Sequence, residues 1–420
     1  MTFGSYARLV SANRNFRLLW FAQIISEIGD WFYSIAVLSF VIQTTGSARS
    51  MAFAFVMQVL PQVLASPFAG ILNDRLSRRR IMIATDWARA VIVLAMLLVR
   101  GPGTIWLLYL LLFLETTMWA LFEPARTASI PNFTEGEETA VANALSSATW
   151  AVAFALGAGL GGIVQAYFGR PAVFVIDSIS FACSALLLTR LQFHEPHAEG
   201  HPPMGIADLF DYSGIRDGFR YARASKQRLS AMFVKAGLGL MGVNWVLLPV
   251  LGQTLFPVHL PGVAASEAGT LGMSFLLSAR GAGAMAGSIL GAVRAGNSPS
   301  ILRQNILIGF CLGSIGYLLL GLAPGLAIAL LCVFIAHAGG SAAWTGSTTL
   351  LQQLTEDKFR GRVFSSEYAM SMVVISIASY SCGAAIDAGW PVRTICFVSG
   401  IAVLTPALLW WISGRKNGQG

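Results

Sequence analysis

The sequence predicts an all-α membrane protein of twelve transmembrane helices, six on either side of a polar linker. Three observations carry this. Only 11% of the 420 residues are charged and 55% are hydrophobic, whereas a soluble domain carries about 25% charged residues. Apolar runs of the roughly 20 residues needed to cross a bilayer recur along the whole chain. Lys and Arg gather in alternate breaks between those runs, the bias that orients helices in a membrane.

Taken in order, the first half (1–192) offers helices at 16–44, 51–73, 81–100, 104–125, 139–167 and 171–190. Arg8, Arg14 and Arg17 precede the first run as in a signal peptide, but the run is too long and is interrupted by Glu27 and Asp30. It reads as a retained spanning helix. A linker at 193–228, rich in His, Pro, Asp and Arg, is the longest polar break. The second half (229–420) offers 229–254, 267–293, 301–322, 325–351, 363–388 and 391–413. With the N-terminus inside, the inner breaks hold twenty-one Lys and Arg and the outer breaks only Arg49, Arg100, Arg170 and Arg393. Both termini and the linker are therefore expected in the cytoplasm. Within the linker, 210–228 reads as an amphipathic helix along the inner surface, in contact with membrane lipids.

Several function classes find no support. The net charge of +8 would suit a nucleic-acid partner, but no separate basic domain exists, and topology accounts for the excess. The five cysteines all lie in apolar runs without a CxxC pair, and no His stands at metal-ligand spacing, so neither metal nor cofactor is expected. There is no GxxxxGK[ST], HExxH or GxSxG. The chain reads as neither an enzyme nor an ATP-driven pump.

Charges that enter a bilayer cost on the order of 2.5–3.5 kcal/mol each and mark sites by default. In the first helix Gln23, Glu27, Asp30 and Ser34 follow one another at steps of four, three and four, which lines one face. Glu115 and Trp119 share a face of the fourth helix, with Glu123 and Arg126 at its inner end. The seventh offers Asn244 and Trp245, the eighth Arg280, and the tenth His337 and Trp344. Asp30, Glu115, Asn244 and His337 fall near mid-depth. Acids in the first half and bases in the second would face each other across a wet cavity, or would simply pair and staple the halves. A carboxylate that alternates between dry and wet settings takes up and releases a proton, and Glu27, Asp30 and Glu115 are the candidates. Asp86 and Arg89, one turn apart, are expected to pair near the inner surface, Lys235 to snorkel inwards, and Asp177, Glu367 and Asp387 to cap or pair at helix ends. Gly283, Gly287 and Gly291, spaced by four, would let another backbone approach closely.

Between the second and third helices stands Gly70-x-x-x-Asp74-Arg75-x-Ser77-Arg78-Arg79. It resembles the loop signature G-x-x-x-D-R-x-G-R-R/K of the major facilitator superfamily, with Ser77 in place of the second glycine. Together with twelve helices and a central linker, the resemblance covers essentially the whole chain. The stretches 28–30, 124–131, 177–181, 218–221 and 361–363 look most like the bacterial branch that includes the enterobactin exporter and macrolide efflux proteins. The exporters' GPxxGG is met only as Gly157-Ala158-Gly159-Leu160-Gly161-Gly162. The resemblance implies two six-helix bundles rocking about a central site lined by helices one, four, seven and ten. It also implies a bacterial inner-membrane location.

The combined expectation is a monomeric secondary transporter that exports small amphipathic molecules, drug-like or siderophore-like, with the proton gradient as its energy source. Its substrate and proton pathway would involve Glu27, Asp30, Glu115, Trp119, Asn244, Arg280 and His337. Trp31, Trp119, Trp245 and Trp344 would offer the cargo an apolar surface. Gly70, Asp74, Arg75, Arg78 and Arg79 would form a cytoplasmic gate, with Gly70 admitting a close helix neighbour, Asp74 capping the helix that starts near Gly361, and the arginines reaching Asp86, Glu123 or lipid phosphates. The alternatives are a lysophospholipid flippase on the same scaffold and a non-transporting sensor or scaffold.

Overall fold

The computed structural model describes residues 3–195, 213–296 and 298–416. Its long elements are all helices: α1 Phe3–Ala12, α2 Arg14–Thr45, α3 Ala48–Arg75, α4 Arg78–Ala95, α5 Ile105–Ser129, α6 Glu137–Leu188, α7 Ser213–Arg223, α8 Lys226–Gly239, α9 Asn244–Thr254, α10 Ala268–Ala295, α11 Pro299–Leu322, α12 Leu326–Leu354, α13 Asp357–Asp387 and α14 Val392–Lys416. Among the described residues eleven helical stretches are long and apolar enough to cross a membrane. The short α1 has no counterpart among the expected elements. It covers one end of the helices behind it through Leu9, packed with Phe16, Met82 and Phe122.

The 52 residues of α6 would run about 78 Å at 1.5 Å per residue, far more than a bilayer core of roughly 30 Å. The helix is broken at Gly169, whose φ of 80° and ψ of 162° are not helical. That left-handed φ favours glycine, and Pro171 just beyond it lacks the N–H that would continue the ladder. The break falls where the sequence separates its fifth and sixth helices. The expected helix 229–254 is likewise divided: α8 and α9 meet through a 3₁₀ turn, Leu240–Val243, so Asn244 opens a new helix.

The chain divides into two compact units: Met1–Phe40 with Met57–Asp211, and Val41–Val56 with Tyr212–Gly420. The hairpin Val41–Val56 thus joins the second unit, although the sequence division leaves it in the first half. There Asp387 holds the start of α3, accepting from Ser47 Oγ (2.6 Å), Ala48 N (2.8 Å) and Arg49 N (3.2 Å). The second unit is also stitched by the predicted glycine stripe. Added methyl groups on Gly283, Gly287 and Gly291 would strike Phe334, Ala338 and Ala342 of α12, a row with the same step of four.

The signature loop differs from expectation in several respects. Gly70 has nothing within 4 Å of a would-be Cβ, so it mediates no close helix approach. Arg78 and Arg79 reach neither Asp86 nor Glu123. Arg78 donates to the carbonyls of Asn73 (3.2 Å) and Ala128 (2.7 Å), and Arg79 donates to those of Leu188 (3.4 Å) and Thr189. Both arginines satisfy carbonyls at helix C-termini, where cations are favoured. Asp74 is exposed. Ser77, at φ −60° and ψ 113°, needs no glycine freedom. It caps α4, accepting from the Arg80 N–H, and donates to Glu195 at 2.5 Å.

The amphipathic helix of the linker is also shorter than expected. The described part is Ser213–Arg223, and residues 210–212 lie outside the described residues. It packs on α13: Ser366 donates to the Ile215 carbonyl at 2.6 Å, and the Tyr221 ring stacks on Phe359 at 4.1 Å. It is thus docked on protein rather than resting on lipid alone.

Candidate functional site

The first unit gathers most of the predicted acids around one arginine. Arg89 lies on α4 and is 1% exposed. Its Nε donates to Glu115 Oε1 at 2.8 Å and its Nη2 to Asp30 Oδ1 at 2.6 Å. The expected partner, Asp86, is the most distant of the three, 3.7 Å from Nη1. The sequence reading of a local pair near a surface is therefore corrected: Arg89 is a buried hub joining α2, α4 and α5. Its planar fork of donors suits several carboxylates at once, and its flat face lies 3.9 Å from the Phe181 ring centroid.

The carboxylates differ in how they are held. Glu115 is buried and fully engaged, its Oε2 accepting from Tyr33 Oη (2.9 Å) and Thr116 Oγ1 (3.3 Å). Asp86 accepts from Ser184 at 2.5 Å. Asp30 alone among these acids keeps an appreciable exposed surface, 22% of its side chain. Asp177, expected at a helix end, is fully buried. Its Oδ1 accepts from Ser180 at 3.1 Å, and its Oδ2 has no hydrogen-bond partner. Gly29 permits this placement, since a methyl group there would overlap Asp177 Oδ1 and Ser180 Oγ.

One turn away on the same face of α2 a second chain of contacts begins. Glu123 grips Arg126 with both oxygens (2.5 and 2.9 Å). Arg126 donates to Gln23 at 3.0 Å, and Gln23 donates to Glu27 at 2.8 Å. The predicted pair Glu123–Arg126 thus continues into the predicted stripe. The stripe residues do share one face, as their spacing requires. Trp119 is half-buried, and Trp31 packs into the unit, stacked on Phe154 at 3.8 Å.

The second unit handles its polar residues differently. Arg280 lies over the Trp245 ring at 4.0 Å, and Trp245 stacks on Phe55 at 4.8 Å. Asn244 turns back to donate to the Met241 carbonyl at 2.5 Å. His337 is buried, with its Nε2 3.3 Å from Tyr317 Oη. Lys235 does not snorkel: it is buried against Glu367, Nζ to Oε2 2.8 Å.

Sequence reasoning missed the centrality of Arg89, the contribution of Tyr33 and the depth of Asp177. A signal for the first existed: Asp86 and Arg89 are the only charges in the run 81–99.

The model of the transmembrane secretion effector family matches residues 4–413. The MFS-type transporter YkuC of Bacillus subtilis is 24% identical over 57% of this chain and 56% of its own length, so the chain spans little more than half of that relative. Macrolide efflux protein A of Streptococcus pyogenes is 22% identical over 83% of this chain and 84% of its own. The putative bacilysin exporter BacE of Bacillus amyloliquefaciens is 26% identical over 57% and 59%. A solved POT family transporter in complex with 5-aminolevulinic acid shares the fold at a TM-score of 0.74, with 12% identity over 96% of both chains. The chain belongs to the transmembrane secretion effector family of the major facilitator superfamily, and it is a multi-pass membrane protein.

Proposed function

We propose that this protein is a proton-coupled exporter of small amphipathic molecules working by alternating access in a bacterial inner membrane. Counting α6 as two limbs about Gly169 and α8–α9 as one crossing gives twelve spans, six before and six after the linker 193–228, with both termini cytoplasmic. Residues 1–192 and 229–420 would form the two rocking bundles, and the Gly70–Arg79 loop would gate the cytoplasmic side.

The observation that carries the coupling is the Arg89 cluster. Asp30, Asp86 and Glu115 contact one guanidinium, so the carboxyls outnumber their counter-charge inside a membrane protein. Burying an uncompensated charge is expensive, and a cluster in surplus of acid holds protons instead. Asp30 is its open end, where water or cargo can exchange with the proton. Glu27 and the Glu123–Arg126 pair extend a polar path along the same face of α2. Export of drug-like compounds is supported by the macrolide efflux and putative bacilysin exporter relatives, and Trp31, Trp119 and Trp245 are suitable apolar contacts.

The test is a susceptibility screen in a strain stripped of its own exporters, against toxic amphiphiles, siderophores and lysophospholipids. Hits are then followed in proteoliposomes under an imposed pH gradient. The wild type should protect against at least one amphiphile and move it with the gradient. A double Asp30→Asn/Glu115→Gln variant at equal membrane level should not. Gradient-driven transport that survives both substitutions rules out coupling through these acids, and a response to lysophospholipids alone turns the reading to a lipid flippase.

A further inference from the structure

We infer that Trp344, Phe364 and Glu367 form a binding site for an organic cation, which the Lys235 ammonium occupies as a tethered ligand. The Lys235 Nζ lies 4.9 Å from the Trp344 ring centroid and 5.6 Å from that of Phe364, and it donates to Glu367 Oε2 at 2.8 Å. A cation within about 6 Å of a ring face is attracted by the ring's quadrupole. Two rings and a carboxylate around one ammonium are the elements by which proteins recognise alkylammonium groups. Phe364 and Glu367 stand three apart on one face of α13, Trp344 comes from α12 and Lys235 from α8.

Two features distinguish this from an ion pair that only fastens helices. Glu367 is wholly buried, yet its Oε1 has no hydrogen-bond partner. A fastening pair is stabilising when its remaining lone pairs are satisfied, and here half of the carboxylate is left to accept from something else. The occupant is also a lysine, a point charge on a flexible four-carbon stem. An arginine fork would engage both oxygens, whereas a lysine can withdraw along its stem without a change of backbone.

The charge count selects the ligand. A monovalent cation that displaces the ammonium leaves the site with the same net charge. A neutral or anionic ligand would leave Glu367 buried without a counter-charge. The class is therefore an amphipathic cation with a protonated amine head, whose N–H groups can donate to Glu367, and an apolar body for the rings. As a cargo assignment this rests on the exporter reading above, but as a binding site it does not.

The experiment measures binding of protonated 4-phenylbutylamine to the full-length protein in detergent by equilibrium dialysis. Lys235→Met removes the competing ammonium and should tighten binding at least ten-fold. Adding Glu367→Gln should return the affinity to the wild-type value or below. Trp344→Leu, which leaves the ion pair in place, should weaken wild-type binding about ten-fold and decides the matter if Lys235→Met does not fold. Unchanged affinity in folded Lys235→Met or in Trp344→Leu overturns the site, as does tightening that survives Glu367→Gln. Absent binding alongside gradient-driven export of other compounds sinks this site alone. Intact binding without proton-driven transport leaves the site and sinks the exporter reading.

Discussion

Around Arg89, in the first unit, three carboxylates converge on one guanidinium, with a fourth acid, Asp177, buried beside Gly29. Around Lys235, in the second, one ammonium meets one carboxylate under two aromatic rings, and Arg280, partly buried, lies on Trp245. The first arrangement sets three carboxylates against one guanidinium, and in the proposed coupling it is the one that exchanges protons. The second is balanced as it stands, one cation against one anion, and in the proposed site another cation takes the ammonium's place. On the proposals above, proton chemistry and cation recognition are divided between the units, and each can be broken separately.

The largest effect is expected at Arg89. Arg89→Leu strands several buried acids, and removing one partner of a buried ion pair costs about 3–5 kcal/mol. The loss should appear as a large fall in thermal unfolding temperature in detergent, mostly regained when Asp30→Asn and Glu115→Gln are added. The contrasting double substitution Lys235→Met/Glu367→Gln should change stability little, because replacing a balanced pair by similar-sized neutral groups is often neutral or better. A comparable loss in both would erase the distinction between the units.

Gly29→Ala should come next. Its methyl overlaps Asp177 Oδ1 and Ser180 Oγ, and overpacking of this kind costs about 1–3 kcal/mol. Thermal unfolding of Gly29→Ala alone, and with Asp177→Ala and Ser180→Ala added, checks whether the clash is the cause: relief by the added substitutions is expected. The smallest effect separates the signature loop from the superfamily pattern. Since Ser77 acts as a helix cap in extended backbone, Ser77→Ala should cost about 1 kcal/mol and Ser77→Gly only a few tenths. The same unfolding measurement distinguishes them, and a greater cost for glycine would deny the capping role.

Much of the helical plan was legible because it is set by composition: runs without charge, ended by Gly, Pro and basic breaks. The break at Gly169 was legible for the same reason, as was the stripe of Gly283, Gly287 and Gly291, whose spacing carries its packing partner implicitly. The face of α2 that bears Gln23, Glu27, Asp30 and Ser34 followed from helical period alone. What period cannot give is which helix each face meets. Asp86 and Arg89 read as a pair because neighbours in sequence are what spacing displays. That Arg89 turns instead toward Asp30, 59 residues away, and Glu115, 26 away, is a matter of packing between helices. Lys235 failed for the same reason, its partner Glu367 lying 132 residues on. The loop arginines were misassigned because sequence displays acids as partners, whereas Arg78 and Arg79 found backbone carbonyls.

The central claim is that the Arg89 cluster holds and exchanges a proton through Asp30. Infrared difference spectroscopy of the reconstituted protein, taken between mildly acidic and mildly alkaline buffer, tests it without knowledge of the cargo. A protonated-carboxyl band that titrates in the wild type and is lost or displaced in Asp30→Asn is the predicted result. A wild-type spectrum with no titrating carboxyl, or a band that Asp30→Asn and Glu115→Gln both leave untouched, would contradict it.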